Sequence, residues 1–143
     1  MIPDPHNLKR FIDAQKGTYA VALSELRAGR KQSHWMWFVF PQLTGLGRSS
    51  TAIFYAIASV EEARAYLADD VLGPRLRDAT EALLRWAGKR TAIEILGAID
   101  AVKLRSCLTL FDAVEPDGPF AKALDAFFGA PDEQTLALLN GRQ

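Results

Sequence analysis

One short segment concentrates the side chains of this sequence that could do chemistry. The stretch KQSHWMWFVFPQ, residues 31–42, holds one histidine, two tryptophans and two phenylalanines. Such rings either fill a core or line a pocket in which they stack on a flat ligand. In the pocket interpretation Trp35 or Trp37 stacks on the ligand, and His34, Lys31 and Gln42 supply polar contacts to it. Core packing is the commoner role of such residues, and the sequence leaves both interpretations open.

Two residues are candidates for catalysis. His34 is predicted to act as general acid or base, since imidazole exchanges a proton readily near neutral pH. Lys103 falls within the apolar arc of a predicted helix, with Ser106 beside it as a further polar contact. Such a lysine either extends its charge to water, pairs with Asp100 three residues earlier on the helix, or enters a site and acts as an anion ligand, base or nucleophile. We expect Lys103 to point into the same cavity as the 31–42 segment.

Other motifs give weaker signals. The run GLGRSS, residues 45–50, is reminiscent of a phosphate-binding loop but lacks the lysine of the full motif. It is either a flexible turn or a place where Arg48 and the neighbouring serine hydroxyls meet an anion. The two histidines and the lone Cys107 have no zinc spacing, so we predict neither a metal nor a cofactor. Cys107 is predicted to be a small core residue.

Composition limits the class of protein. The 143 residues carry 17 basic and 17 acidic side chains, and this balance argues against a duplex nucleic acid as partner. The longest apolar run, residues 35–40, is far shorter than the ~20 residues that span a membrane. The first residues lack the pattern of a secretory signal. We therefore expect one globular domain over residues 1–143, located in the cytoplasm.

Helix signals dominate the chain and predict a mainly α, compact multi-helix fold. A first helix is predicted from Pro5, with Asp4 as N-cap, to Gly29, and Gly17 either kinks or splits it. The capping-box spacing occurs at Ser59 with Glu62 and at Thr91 with Glu94. Further helices are predicted over residues 71–86, from Asp100 as N-cap to Val114, over 120–128 and over 132–139.

Strand signals are few. Residues 53–57 and 39–40 are the only candidates, so at most a small β element is expected, and periodicity does not decide the conformation of residues 35–40. The side chains predicted to be buried are Leu8, Phe11, Leu23, Trp37, Leu76, Leu83, Leu104, Leu108 and Phe111.

Several motifs resemble one bacterial family. The chain resembles the family catalogued as domain of unknown function 1810 in five segments, which occur in the same order. They are DPHNLKRFIDAQ, AVALSELRAGRKQSHWMWFVFPQLTGLGRS, YAIAS, AYLADDVLGPRL and KLRSCLTLF. The likeness extends from Asp4 to about Leu139. One departure is Ser106-Cys107-Leu108, where the family motif has two serines and a methionine. Some members carry the label calpastatin, but calpain inhibitors are long and disordered whereas this composition is globular.

The resemblance implies a stand-alone bacterial cytoplasmic domain and brings no known activity. In size, helix content and aromatic segment the chain is also similar to NADAR domains, which act on N-glycosidic bonds of nucleotide-derived compounds. We therefore predict binding of a nucleotide- or ADP-ribose-like molecule, or hydrolysis of its N-glycosidic bond. In either case Lys31, Arg48 and Lys103 hold the phosphate charge. The alternative is a protein-interaction module that pairs with a partner or forms a homodimer through its aromatic segment.

Overall fold

The structure is a computed structural model that describes residues 3–141. This range contains ten helices and one isolated parallel β-bridge, between Leu43 and Ile57. The helices are α1 (Lys9–Gln15), α2 (Tyr19–Arg27), α3 (Met36–Val39), α4 (Ser50–Phe54), α5 (Val60–Ala68), α6 (Leu72–Leu84), α7 (Ala92–Leu96), α8 (Ala98–Val114), α9 (Pro119–Phe127) and α10 (Glu133–Asn140). The prediction of a mainly α fold with a minor β element is confirmed.

The predicted first helix is two helices. Gly17 lies between α1 and α2 with a φ of +75°, in the left-handed region that glycine tolerates. The start at Pro5 is wrong, because α1 begins only at Lys9. Asp4 nevertheless caps this end: its carboxylate accepts hydrogen bonds from the backbone N–H groups of Leu8 at 2.8 Å and Lys9 at 3.0 Å.

The capping signals were good guides to helix starts. Thr91 and Glu94 form the full reciprocal box at α7. Ser59 caps α5 by accepting from the Glu62 backbone N–H at 3.1 Å. The Glu62 carboxylate does not complete the second box, because it accepts from the guanidinium of Arg10 at 2.7 Å and from the Ala58 N–H at 3.3 Å.

The segment between α2 and α5 departs most from expectation. Residues 36–39 form one helical turn, α3. The strand predicted over residues 53–57 is wrong, since α4 covers its first two residues and only Ile57 joins the bridge. Ser49, predicted to lie in a loop, is the N-cap of α4, where its hydroxyl accepts from the Ala52 N–H at 3.1 Å.

The long helix α8 is the centre of the core and packs against α5, α7, α9 and α10. Most of the predicted core is buried, but Leu8, Leu23 and Trp37 are only partly so. The partial exposure of Trp37 matters for the site, because part of its ring remains accessible. Among residues 3–141, no helix combines the length and apolarity needed to cross a membrane.

Candidate functional site

A single carboxylate joins the two lysines that the sequence singled out. Asp100 Oδ2 lies 2.9 Å from Lys31 Nζ, and Asp100 Oδ1 lies 3.5 Å from Lys103 Nζ. The side chain of Lys31 is 8% exposed, that of Asp100 18% and that of Lys103 23%. We call these three residues the lysine–aspartate cluster. Its exposure rises from Lys31 to Lys103, so Lys103 is the member most open to solvent.

Asp100 is free to pair because it is not the N-cap of α8. The prediction that it caps this helix is wrong: α8 begins at Ala98, and Gly97, with a φ of +89°, precedes it. Asp100 is the third helical residue, where a negative charge suits the positive end of the helix dipole. Lys103 follows three residues later, so the two side chains share one face of α8.

Each lysine of the cluster also lies over a tryptophan ring. Lys31 Nζ is 5.1 Å from the centre of the Trp35 ring, and Lys103 Nζ is 5.0 Å from that of Trp37. Both distances are within the range of cation–π attraction. Lys103 is therefore directed towards Trp37 of the 31–42 segment and does not extend into bulk solvent. Its entry into a cavity with that segment stays a prediction.

The two tryptophans have different environments. Trp35 is fully buried, and its indole N–H donates to Glu25 Oε1 at 2.9 Å. Trp37 is half-buried, and its indole N–H has no acceptor among the described residues. The prediction that either ring could stack on a ligand is thus wrong for Trp35, because its faces are covered by the core.

Glu25 of α2 positions the start of this segment. Its carboxylate accepts from the backbone N–H groups of Gln32 at 2.8 Å and Ser33 at 3.0 Å, and from the Ser33 hydroxyl. Burial would raise the pKa of Glu25, but the hydrogen bonds from Ser33, Gln32 and Trp35 outweigh it and lower the pKa to about 2. Glu25 is therefore an ionised anchor at neutral pH.

Two other contacts fix the remainder of the segment. The Lys31 backbone N–H donates to the Ile95 carbonyl of α7 at 2.7 Å. Buried Gln15 of α1 donates to the Phe38 carbonyl at 2.7 Å. The 31–42 segment is thereby held by α1, α2 and α7, and the ion pair of Lys31 with Asp100 joins it to α8.

The other predicted site residues do not join the cluster. His34 is exposed and makes no hydrogen bond or ion pair with a described residue. The Ser106 hydroxyl is buried and donates to the Val102 carbonyl at 3.2 Å. Arg48 is exposed and lines a separate cavity with Leu46 and Leu138. Gln42 is partly buried, and its carbonyl accepts from the Ile57 N–H at 2.9 Å in the β-bridge.

The geometry suits anion binding better than covalent chemistry. Both oxygens of Asp100 face ammonium groups, which leaves the carboxylate poorly placed to act as nucleophile or base. Two cations against one anion leave the cluster with an excess positive charge. Within the part of the chain that the structure describes, no group of three His, Cys, Asp or Glu side chains is arranged to hold a metal ion.

Sequence reasoning missed Glu25 and misassigned Asp100. The signal for Glu25 was its position on α2: it lies three residues after Ala22 and one before Leu26, both fully buried. A carboxylate on the buried stripe of a helix needs partners, so its place alone predicts a hydrogen-bonded anchor. The position of Asp100 allowed two interpretations, N-cap of α8 or ion-pair partner of Lys103, and the structure shows the second.

Comparisons with known proteins give a family and one solved relative. The family described as "Protein of unknown function (DUF1810)" matches residues 5–139. The crystal structure of the conserved hypothetical protein Rv1873 from Mycobacterium tuberculosis is similar to this chain, with 47% identity and a TM-score of 0.92. The match covers 96% of this chain and 99% of the other. A comparison with curated proteins gives no match.

Proposed function

Since the chain belongs to the DUF1810 family, whose description states no activity, we propose from the geometry alone that it binds a small anionic ligand with a flat ring, of the nucleoside-diphosphate class. The observation that carries this proposal is the lysine–aspartate cluster beside the accessible ring of Trp37. The diphosphate lies against Lys103, and the base stacks on Trp37.

The charge of the cluster supports the phosphate part of this proposal. Lys31 and Lys103 share one carboxylate, so their second positive charge is not compensated within the cluster. The 3.5 Å contact of Lys103 with Asp100 is longer than the 2.9 Å contact of Lys31. A phosphate oxygen approaching from solvent therefore meets Lys103 first and gains a charge-assisted hydrogen bond.

The accessible ring supports the stacking part. Unlike Trp35, Trp37 has a partly exposed ring, and its indole N–H has no acceptor among the described residues. Stacking of a nucleobase on an aromatic side chain contributes about 1–3 kcal/mol. A ligand with both a phosphate and a base gains from both features, whereas either fragment alone gains from one.

Binding is better supported than hydrolysis of an N-glycosidic bond. The predicted acid or base, His34, is exposed and has no partner among the described residues to orient it. Asp100 is engaged by both lysines, so it is not free to stabilise an oxocarbenium ion. We accordingly propose Lys103 as a ligand-binding residue and not as a base or nucleophile.

The test is a calorimetric titration with ADP and ADP-ribose, with adenosine and pyrophosphate as fragments. We expect ADP to bind more tightly than either fragment. Lys103→Met should weaken ADP binding at least about tenfold, since it removes a charge-assisted contact. The fold should survive, because the methionine stem keeps the apolar packing and Lys31 still neutralises Asp100.

The matched control is Lys122→Met, which removes the same charge from an exposed position on α9. It should leave ADP affinity unchanged. The proposal would be contradicted if none of the four compounds bound at millimolar concentration, or if Lys103→Met and Lys122→Met lost equal affinity for ADP.

One observation favours a second candidate function, a homodimer. Ile99 and Val102 are 76% and 63% exposed on the first turns of α8, on either side of Asp100. Exposed aliphatic residues that lie close together can form the apolar patch of an interface. Light scattering and NMR distinguish the two functions. A dimer in the wild type that is lost in Val102→Ser, together with a Trp37 indole N–H signal that does not shift on addition of ADP, would favour the interface.

A further inference from the structure

A cavity lies on another part of the molecule, where the turn after α6 faces the end of α9. Its volume is about 300 Å³, and Lys89, Arg90, Glu94 and Phe127 contribute to its lining. None of these residues belongs to the lysine–aspartate cluster or to the aromatic segment. The volume is at the lower end of the range of small-molecule pockets.

The charged residues of this cavity are two cations and one carboxylate. Neither Lys89 nor Arg90 makes an ion pair within 4 Å with a residue of the described chain. Glu94 is committed elsewhere: its carboxylate accepts from the Thr91 backbone N–H at 2.8 Å in the capping box of α7. That bond lowers the pKa of Glu94, so the cavity carries one excess positive charge at neutral pH.

Arg90 also has a buried donor without a protein acceptor. Its Nε is buried and makes no hydrogen bond. Among residues 3–141 it is the one buried side-chain nitrogen or oxygen atom without a hydrogen-bond partner. Buried donors in folded proteins nearly always have a partner, because an unmade hydrogen bond is costly in a buried position. An oxyanion in the cavity would compensate the excess charge and accept hydrogen bonds from the terminal nitrogens of the Arg90 guanidinium.

The fourth lining residue adds an aromatic surface. Phe127, the last residue of α9, is half-buried, so part of its ring faces the cavity. Rings of a ligand and of the protein attract each other in offset-stacked or edge-to-face arrangements.

We infer that this cavity is a binding site for a small aromatic oxyanion, with the phosphate or carboxylate group on Arg90 and Lys89 and the ring on Phe127. The site is independent of the proposed nucleotide site, since the two share no residue.

The test uses phenyl phosphate and inorganic phosphate, followed by two-dimensional nitrogen–proton NMR. We expect saturable shifts of the Arg90 Nε–H signal and of the backbone amides of residues 88–91. Phenyl phosphate should bind about two- to tenfold more tightly than phosphate, because the ring contact adds to the charge contact. Arg90→Gln should abolish these amide shifts, and Lys89→Gln, at an exposed position, should weaken them.

Two controls separate this site from the first. Arg85→Gln removes an exposed arginine of the same turn region and should leave the shifts unchanged. Lys103→Met should also leave them unchanged, while it weakens ADP binding at the other site. Shifts that persist in both Arg90→Gln and Lys89→Gln, or amides of residues 88–91 that do not respond to phenyl phosphate at millimolar concentration, would overturn the inference.

Discussion

At the scale of single residues, Asp100 decides how the two lysines behave. Lys103 on the apolar arc of α8 would be costly without a counter-charge, and Asp100 supplies that charge from the same helix. The same carboxylate serves Lys31, which is nearly buried. The cluster is therefore stable without a ligand and still carries more positive than negative charge.

Replacement of Asp100 by Asn separates a structural role from a binding role. The variant leaves two close ammonium groups without a counter-charge, so the free energy of unfolding should fall by about 2 kcal/mol. Loss of the competing carboxylate should at the same time raise the affinity for pyrophosphate several-fold. Urea unfolding with and without pyrophosphate measures both effects, and Asp125→Asn, an exposed carboxylate on α9, is the control. Destabilisation without any gain in affinity would mean that the cluster has only a structural role.

At the scale of elements, the site depends on the one-turn helix α3 and the stretch before it. These residues have few backbone hydrogen bonds of their own, and side chains from neighbouring helices hold them. Glu25 of α2 binds the stretch at Gln32, Ser33 and Trp35, and Gln15 of α1 binds the Phe38 carbonyl. The position of Trp37 between these anchors follows from tertiary contacts and not from local propensity.

This dependence explains what the sequence could and could not predict. Caps are local, so the helix start at Thr91 with Glu94 was predictable. The apolar arc of α8 is periodic, so the direction of Lys103 towards the aromatic segment was predictable as well. The conformation of residues 35–40 was not, because an apolar run of that length fits a buried strand as well as a helix.

The misassignment of Asp100 has a similar cause. An Asp before an apolar-periodic segment is a standard N-cap signal, but the left-handed Gly97 places the start of α8 earlier. The cavity at Lys89 and Arg90 gave no sequence signal, since it forms between elements separated by more than thirty residues.

Glu25→Gln should destabilise the attachment of α3 and the stretch before it to α2, and the size of this effect should depend on pH. The folded pKa of Glu25, about 2, lies below the model-compound value of 4.5. The ionised carboxylate therefore stabilises the fold fully above pH 4.5, and the stabilisation is lost as the pH falls from 4.5 towards 2. Allowing for solvent screening, the variant should lose about 2 kcal/mol at pH 7 and progressively less below pH 4.5.

Urea unfolding of the wild type and the variant at pH 7, 5 and 3.5 measures this difference. Glu81→Gln, which replaces an exposed glutamate of α6, should show no such pH dependence. A difference between wild type and Glu25→Gln that stays constant down to pH 3.5 would show that hydrogen bonding to the neutral side chain, and not ionisation, holds the segment.

At the scale of the whole molecule, the charge is balanced but unevenly placed. The 17 basic and 17 acidic residues cancel, yet the lysine–aspartate cluster and the Arg90 cavity each keep an excess positive charge. Under the proposed function and the further inference, these two places attract small anions. The fold brings one of these places next to an accessible indole ring, and this is the basis of the proposed function.

The most direct test follows the three tryptophan indole N–H signals by NMR during an ADP titration. Trp35 donates to Glu25 and Trp86 to the Leu26 carbonyl, whereas Trp37 has no acceptor among the described residues. We predict a saturable shift of the Trp37 signal, with the other two nearly unchanged, and loss of that shift in Lys103→Met. A Trp37 signal that does not respond to ADP, or that responds equally in Lys103→Met, would contradict binding at this site.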